Sequence, residues 1–341
     1  MTDLRSLNYG QLQKALAPFG WPAFRTKQVF DWLQVKGVRS AQEMTNLSKD
    51  MRETLDTQCF ISYCEIARKQ VSEIDGTVKY LFRLHDGETI ESVVMKYEHG
   101  RSICVSSQVG CKMGCVFCAS GENGCARNLL PGEMLSQLMA AQNDIGEHIS
   151  HLVLMGMGEP LDNYANVLKF LRLVTSGQGQ NMSQRKISLS TCGIVPKIEE
   201  LAKERLGITL SVSLHAPNDK LRSQLMPVNH AFSLKKLIPA CRDYIEQTSR
   251  RISFEYALFR GVNDTTEHAK ELAVLLKGMM CHVNLIPANE IRGLQRSEKH
   301  SIQAFQDALT HRGITCTVRR SLGQGISAAC GQLRGQETYK T

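Results

Sequence analysis

An alternation of strand-like and helix-like segments from about residue 101 onward constrains the fold most. Apolar or β-branched strand segments lie at 102–107, 151–157, 186–191, 208–214, 251–258 and 281–286, and segments of helical periodicity lie at 131–143, 164–174, 234–246 and 266–277. Repeated strand–helix units form a parallel sheet with right-handed crossovers. The pattern therefore predicts an α/β fold, a closed or part-closed (β/α)6 barrel, with its site at the carboxyl ends of the strands.

Two smaller regions precede the predicted barrel. Helical patterns at 9–19, 25–36 and 48–58 predict a small helical accessory domain over residues 1–75. It is either a module packed around a buried Trp or, because Arg25 and Lys27 begin its second helix, a basic module that contacts nucleic acid. Segments 77–83 and 88–97, joined by Asp86 and Gly87, predict a hairpin. The expected divisions are 1–75, a β extension over 76–100, a barrel core over 101–335 and a tail over 336–341.

Charge and hydropathy limit the class of protein. With 41 Lys and Arg against 33 Asp and Glu, the formal charge of +8 permits an anionic partner such as nucleic acid. No segment approaches the roughly 20 apolar residues of a membrane span, and residues 1–10 lack the pattern of a signal peptide. We expect a cytoplasmic protein without a membrane partner. Its twelve cysteines are then not a disulfide framework.

Three cysteines with the spacing CxxxCxxC follow the first barrel strand: Cys111, Cys115 and Cys118. One interpretation is a zinc site with Cys104 or Cys125 as its fourth ligand. The other is a [4Fe–4S] cluster that leaves one iron open to a chelating substrate. The spacing resembles the signature of the radical S-adenosylmethionine superfamily. That resemblance implies one cluster on the three cysteines, which would cleave S-adenosylmethionine to a 5′-deoxyadenosyl radical.

Polar residues recur where the other strands end. Gly158 and Glu159 follow the second strand, Ser190 ends the third, Ser213 to His215 end the fourth, and Asn289 follows the sixth. Glycine permits close backbone approach, and a carboxylate accepts hydrogen bonds from an ammonium group. Each residue alone could be an ordinary loop residue. Together they predict a ligand site at one end of the barrel.

Five motifs together resemble the RlmN/Cfr family of adenine methyltransferases over nearly the whole chain. They are CVSSQVGC at 104–111, MGMGEP at 155–160, SLHAPND at 213–219, NLIP at 284–287 and ISAACGQL at 326–333. The resemblance implies a radical S-adenosylmethionine barrel and a cluster on Cys111, Cys115 and Cys118. The adenosylmethionine contacts that it implies are Gly158, Glu159, Ser190, Ser213, Leu214, His215 and Asn289.

The same resemblance implies roles for three further residues. Cys330 would carry the methyl group as S-methylcysteine, and two adenosylmethionine molecules would be used per turnover. Cys104 would resolve the adduct through a transient disulfide with Cys330, and Glu91 would accept the proton lost from the base. From the residues alone, Cys330 could equally be an idle thiol, Cys104 a core residue and Glu91 a solvated strand charge.

The implied reaction is methylation of C2 of adenosine 2503 in 23S rRNA and of adenosine 37 in tRNA. Pro160 favours C2, because relatives that methylate C8 of the rRNA adenosine tend to carry Ala there. The resemblance also implies a monomer served by a flavodoxin or ferredoxin system. A radical enzyme acting on a small molecule and a non-catalytic zinc-bearing RNA-binding protein remain alternatives. Three residues depart from the family pattern: Cys125, and Ala288 and Glu290 on either side of Asn289.

Overall fold

A ten-stranded mixed sheet organises the computed structural model, which describes residues 1–320 and 322–333. The strands of this part of the chain are β1 Thr2–Asp3, β2 Cys59–Phe60, β3 Glu65–Val71, β4 Val78–Arg83, β5 Thr89–Tyr97, β6 Gly100–Cys104, β7 Gln108–Gly110, β8 Cys125–Asn128, β9 Ile149–Leu154, β10 Ile187–Thr191, β11 Thr209–Ser213, β12 Ile252–Leu258, β13 Cys281–Pro287 and β14 Cys316–Val318. The helices are α1 Tyr9–Leu16, α2 Ala23–Asp31, α3 Lys49–Gln58, α4 Pro131–Ile145, α5 Tyr164–Val174, α6 Val195–Lys203, α7 Asp219–Leu225, α8 Leu234–Thr248, α9 Thr266–Leu276 and α10 Lys299–Thr310.

The parallel half of the sheet follows chain order, β6-β9-β10-β11-β12-β13-β14, and every neighbouring pair in it is parallel. Helices α4 to α10 form the crossovers. This confirms the predicted α/β barrel architecture. All seven residues of β12 are buried, as expected for a central strand covered on both faces. Helices α6, α7 and α10 lie in segments where no element was predicted.

The predicted hairpin is confirmed as β4 and β5, which pair antiparallel. It does not stand apart, because β5 pairs with β6 and continues the barrel sheet. Strand β3 adds an unpredicted antiparallel edge, and its half-exposed, charged sequence lacks a clear alternation. β3 precedes residue 75 yet belongs to the sheet. The division into domains stays a prediction, and the expected tail at 336–341 lies outside the described residues.

The N-terminal helices enclose a separate hydrophobic core, which includes Leu12, Val29 and Leu33. Helix α2 continues into a π-helical turn over Trp32–Lys36, and the turn ends at Gly37 with φ of 73°. Trp32 is half-buried, and its indole N–H donates to Asn46 Oδ1 over 2.6 Å. The module packs on α4, where the Gly132 N–H donates to Ser6 Oγ over 2.9 Å. Across the described residues, every helix is too short or too polar to cross a membrane.

Candidate active site

A cavity of about 170 Å³ opens at the carboxyl ends of the parallel strands, where the fold predicts the site. Its lining includes the predicted methyl carrier and nearly all of the residues predicted to bind the cluster and adenosylmethionine. They are Cys330, and Cys111, Cys115, Cys118, Gly158, Glu159, Ser190, Ser213, His215 and Asn289. These residues come from six different segments of the chain. The barrel therefore brings them together on one surface.

The cysteine loop is held by backbone hydrogen bonds at its start and in its middle. It leaves the small antiparallel ribbon of β7 and β8, and the Cys111 N–H donates to the Gly124 carbonyl over 2.7 Å. In its middle, the Val116 N–H donates to the carbonyl of Leu225 at the end of α7, over 3.1 Å. These bonds fix the loop between the ribbon and the barrel. The three thiols therefore face the cavity on a supported backbone.

Burial raises the pKa of all three thiols, that of Cys111 to about 12. Buried thiolates need a compensating cation, which a bound metal centre supplies. Three thiols on one loop are the donor set of a [4Fe–4S] cluster that leaves one iron open. The residues present therefore fit such a cluster.

Neither cysteine considered as a fourth zinc ligand lines this cavity. Cys125 lies on β8, with its Sγ 3.8 Å from the Arg127 carbonyl oxygen. Cys104 ends β6 and lines a second, smaller cavity of about 50 Å³. Neither of the two cysteines considered as a fourth zinc ligand is therefore placed with the three motif cysteines.

Glu159 is buried, and both of its carboxylate oxygens are anchored by backbone donors. Oε1 accepts from the Leu161 N–H over 2.9 Å, and Oε2 accepts from the Cys192 N–H over 2.7 Å. Burial nevertheless raises the pKa of this carboxyl above its usual value. Gly158 has φ of 98°, and a Cβ there would lie 2.6 Å from Cβ of Gln108. Glycine is thus required beside β7, and the cavity wall is formed by a rigid turn.

His215 is buried in a left-handed backbone conformation, with φ of 56°. Its Nδ1 accepts a 2.9 Å hydrogen bond from the Ala257 N–H, so the proton of the neutral ring lies on Nε2. Burial and the nearby Arg222 guanidinium lower the pKa of His215 to about 3. Leu214 is fully buried and does not line the cavity. Its contribution is a carbonyl that accepts from Arg222 Nε over 3.3 Å.

Arg222 is a site residue that the sequence prediction missed. It is completely buried, and its guanidinium donates to the Cys192 carbonyl over 2.7 Å and to the Ser213 carbonyl over 3.2 Å. These bonds tie the ends of β10 and β11 together. An arginine in an amphipathic segment gives no sequence signal of such a role, because surface arginines have the same spacing.

The second cavity lies beside the first, and Cys330, Asn289 and Arg319 line both. Cys330 is exposed, whereas Cys104 is buried, and burial raises the pKa of the Cys104 thiol to about 12. The two predicted partner thiols thus share one small cavity. Asn289 is present at the site even though Ala288 and Glu290 flank it.

Arg319, which is partly exposed, and the buried Glu255 form a pair at the cavities that was also not predicted. Arg319 Nη1 lies 3.9 Å from Glu255 Oε2, and Glu255 Oε1 accepts from Asn284 Nδ2 over 2.9 Å. The negative charge that Cys330 and Glu255 can carry raises the pKa of Arg319. The Arg319 guanidinium and the Cys330 thiol thus line the same two cavities.

Glu91 is buried rather than solvated, but it lines neither cavity. It lies on β5 on the same face as Val93 and Met95, which do line the second cavity. Its Oε1 lies 2.8 Å from Nζ of Lys79, which is also buried. Lys79 in turn donates to the Ser327 carbonyl over 3.1 Å. The predicted proton acceptor is thus linked through Lys79 to the segment that carries Cys330.

Comparison with known proteins gives two family matches. Residues 105–273 match the radical SAM superfamily, and residues 2–61 match a ribosomal RNA large subunit methyltransferase N-terminal domain. Proteins named probable dual-specificity RNA methyltransferase RlmN are similar in sequence to this chain over nearly its full length. The one from Clostridium botulinum is 53% identical over 98% of each chain, and the one from Lachnospira eligens is 51% identical over 98% of this chain and 97% of its own.

A solved structure is similar to this one over nearly the whole chain. A radical SAM methyltransferase from Sphaerobacter thermophilus superimposes with a TM-score of 0.94 at 43% identity, covering 98% of this chain and 100% of its own. The N-terminal module, the β extension and the barrel are all included in that coverage. The likeness therefore extends through the regions that carry Glu91, Cys104 and Cys330.

Proposed function

This chain belongs to the RlmN family of radical S-adenosylmethionine RNA methyltransferases, and on that premise we propose that it methylates C2 of adenosine 2503 in 23S rRNA and of adenosine 37 in tRNA. The methyl group passes through Cys330. The observation that carries this proposal is that Cys330 lines both the cavity of the cluster cysteines and the cavity of Cys104. A thiol between the two can receive a methyl group on one side and meet a resolving thiol on the other.

The residues that line the cavity have separate roles in binding the cluster and S-adenosylmethionine. Cys111, Cys115 and Cys118 would hold three irons of a [4Fe–4S] cluster, which when bound supplies the electron that cleaves S-adenosylmethionine to a radical. Glu159 offers an anchored carboxylate to the amino group of that ligand. His215 offers an Nε2–H donor, and Ser190, Ser213 and Asn289 supply polar groups around the same cavity. Leu214 positions its neighbours through its backbone.

Cys330 acts as a nucleophile in the first half of the reaction. Its thiolate, beside Arg319, accepts the methyl group of one adenosylmethionine. S-adenosylhomocysteine is the leaving group. The resulting S-methyl group would give a hydrogen atom to the 5′-deoxyadenosyl radical derived from the second adenosylmethionine, and its carbon then bonds to C2 of the adenine. Adenine C2 is a poor nucleophile towards a sulfonium, so this detour through a thioether avoids direct displacement.

Glu91 and Cys104 act in the second half. Glu91 accepts the proton lost from C2. The adduct would pass its unpaired electron to the electron-transfer system that serves the protein. The thiolate of Cys104 then attacks the sulfur of Cys330, a disulfide forms as the bond between that sulfur and the transferred carbon breaks, and the carbon takes up a proton to become the methyl group. Burial raises the pKa of the Cys104 thiol, so this attack requires the thiol to lose its proton first. A flavodoxin or ferredoxin system would supply electrons to the protein, which we propose acts as a monomer.

Two cysteine variants test the proposal because they must fail in different ways. Cys330→Ala should bind S-adenosylmethionine but transfer no methyl group to RNA. Cys104→Ala should instead trap a covalent RNA–protein species, visible on denaturing gels, because bond formation to C2 proceeds and thioether release does not. Cys316→Ala is the control, since this half-buried thiol on β14 lines neither cavity.

The product identifies the position methylated. Mass spectrometry of 23S rRNA and tRNA digests should show 2-methyladenosine that depends on the wild-type protein. A Cys104→Ala enzyme with normal turnover, or a Cys330→Ala enzyme that still methylates adenine, would overturn the assignment of roles. An 8-methyladenosine product would overturn C2 as the target.

A further inference from the structure

A buried lysine on the β extension contacts the proposed proton acceptor. The side chains of Lys79 on β4 and Glu91 on β5 are 2% and 1% exposed, and Lys79 Nζ lies 2.8 Å from Glu91 Oε1. The strand register pairs Lys79 with Val93 and Leu81 with Glu91. Lys79 and Glu91 are therefore diagonal neighbours on one face of an antiparallel pair. The sheet itself sets the distance between the two charges.

Burying the two charges of this pair is unfavourable, and a need to fill space does not explain why charged residues stand here. Removing an ammonium and a carboxylate from water costs several kcal/mol per ion, and apolar residues of similar size often serve stability equally well. The neighbours on this face, Leu81 and Val93, are both buried and apolar. A pair of charges at this position therefore points to a role in the chemistry of Glu91.

The same ammonium group has a second partner. Lys79 Nζ donates to the carbonyl oxygen of Ser327 over 3.1 Å, three residues before Cys330. Asp75, in the turn that precedes β4, accepts from the Gly323 N–H over 2.8 Å through Oδ2. The β extension thus holds the segment that carries the methyl carrier at two places. One of these contacts uses the same atom that holds Glu91.

We propose that Lys79 is a positioning residue for the methyl transfer: it holds the Glu91 carboxylate in its orientation, and it links Glu91 to the Cys330 segment. The inference rests on the proposed role of Glu91 as the proton acceptor. In that step the C2–H bond breaks, the proton goes to a carboxylate oxygen of Glu91, and the electron pair stays on the base. A hydrogen-bonded ammonium group fixes the direction in which the carboxylate presents its oxygens.

Two variants separate the charge of Lys79 from its packing. Lys79→Met keeps the length and removes the charge, and Lys79→Arg keeps the charge. General base catalysis contributes on the order of 10²-fold to 10⁴-fold in rate. Lys79→Met should therefore lower RNA methylation about 10²-fold, while Cys330 is still isolated with its S-methyl group and covalent RNA–protein adduct accumulates. Lys79→Arg should recover at least about 10-fold of that loss, which a merely structural role would not require.

The matched control is Lys69→Met on the neighbouring strand β3. Lys69 is 37% exposed and pairs with Asp144 on the surface at 2.6 Å, so its loss should leave methylation unchanged. Lys79→Gln gives a second test of charge, because it retains a donor without the positive charge. It should accumulate adduct as Lys79→Met does.

Glu91→Gln distinguishes failure of the inference from failure of the proposed function. If Glu91→Gln turns over normally, Glu91 is not the proton acceptor, and the inference about Lys79 falls with it. If Glu91→Gln accumulates adduct while Lys79→Met and Lys79→Gln methylate RNA at the wild-type rate, the inference alone is overturned. Equal loss of Cys330 methylation and RNA methylation in both Lys79 variants would also overturn it, since that pattern indicates a structural role.

Discussion

The carbonyl of Gly331 accepts a 2.8 Å hydrogen bond from the backbone N–H of Ala119. The residue after the proposed methyl carrier, Cys330, is therefore bonded to the residue after the last cluster cysteine, Cys118. Next to this bond, the Ser120 hydroxyl donates to the Leu333 carbonyl over 2.8 Å. The position of the Cys330 thiol thus depends on the same loop that presents the three motif cysteines.

Gly331→Ala should displace Cys330 without removing the cluster ligands. Gly331 has φ of 82°, and a Cβ there would lie 2.9 Å from the carbonyl oxygen of Phe117, which is backbone and cannot yield easily. The left-handed conformation alone costs roughly 1–2 kcal/mol for a residue with a Cβ. We expect wild-type iron content but several-fold less S-methylation of Cys330, measured by peptide mass spectrometry.

A second glycine provides the control for strain alone. Gly313 has φ of 76° and open space where its Cβ would be, so Gly313→Ala carries the conformational cost without the clash. It should retain S-methylation of Cys330. Equal methylation in both variants would show that the Gly331 contact does not position the thiol.

Replacing the motif cysteines one at a time should remove the iron–sulfur centre. Cys111→Ala, Cys115→Ala and Cys118→Ala should each lose most cluster iron and all reductive cleavage of S-adenosylmethionine, measured as 5′-deoxyadenosine. Cys125→Ala should retain both, because Cys125 lies on β8 outside the cavity. Retained cleavage in one of the first three would remove that cysteine from the ligand set.

His215 should make the folded chain sensitive to mild acid. The pKa of this buried histidine is lowered to about 3, against about 6.5 for an unfolded chain. The unfolded state therefore binds the extra proton first, so the stabilisation is complete above pH 6.5 and is lost as the pH falls towards 3. The loss is at most about 1.4 kcal/mol per pH unit.

Chemical denaturation at pH 7 and pH 5 measures how much the protonation of His215 changes the free energy of unfolding. The free energy of unfolding of the wild-type protein should fall more between the two pH values than that of His215→Gln, in which the titrating ring is absent. Parallel changes in the two proteins would mean that other groups account for the acid sensitivity.

The two thiols of the second cavity should differ in reactivity. Burial raises the pKa of Cys104 to about 12, so only about 10⁻⁴ of it is thiolate at pH 8. Cys330 is exposed. In protein prepared without a cluster, iodoacetamide at pH 8 should modify Cys330 well before Cys104, and modification of Cys104 should increase steeply at higher pH. Equal labelling of both thiols at pH 8 would contradict the burial of Cys104.

The barrel was predictable because its strands are buried and apolar. Strand β12 and helix α5 follow their expected boundaries within a residue, since their burial produces the periodicity that a sequence shows. Strand β3 was not predictable, because its exposed edge carries the polar pattern of a loop. The cluster cysteines could be predicted because three thiols in eight residues already indicate a shared ligand.

The supporting charges could not be predicted in the same way. Lys79 and Glu91 each occupy a strand position that alternation assigns to solvent, and only the register of β4 against β5 places them together. Arg319 and Glu255 are 64 residues apart in sequence and meet only because their strands converge on one cavity. Such pairs depend on tertiary geometry, and a single sequence carries no local signal for them.

The segment from 322 to 333 is fastened to both halves of the molecule, through Asp75 and Lys79 on one side and Ala119 and Ser120 on the other. Its conformational freedom is therefore thermodynamically linked to that of the cysteine loop, and such linkage is reciprocal. A displacement of residues 111–118 therefore displaces Cys330 through these bonds, and a displacement of Cys330 likewise affects the cysteine loop. A substitution in either segment should consequently affect both half-reactions.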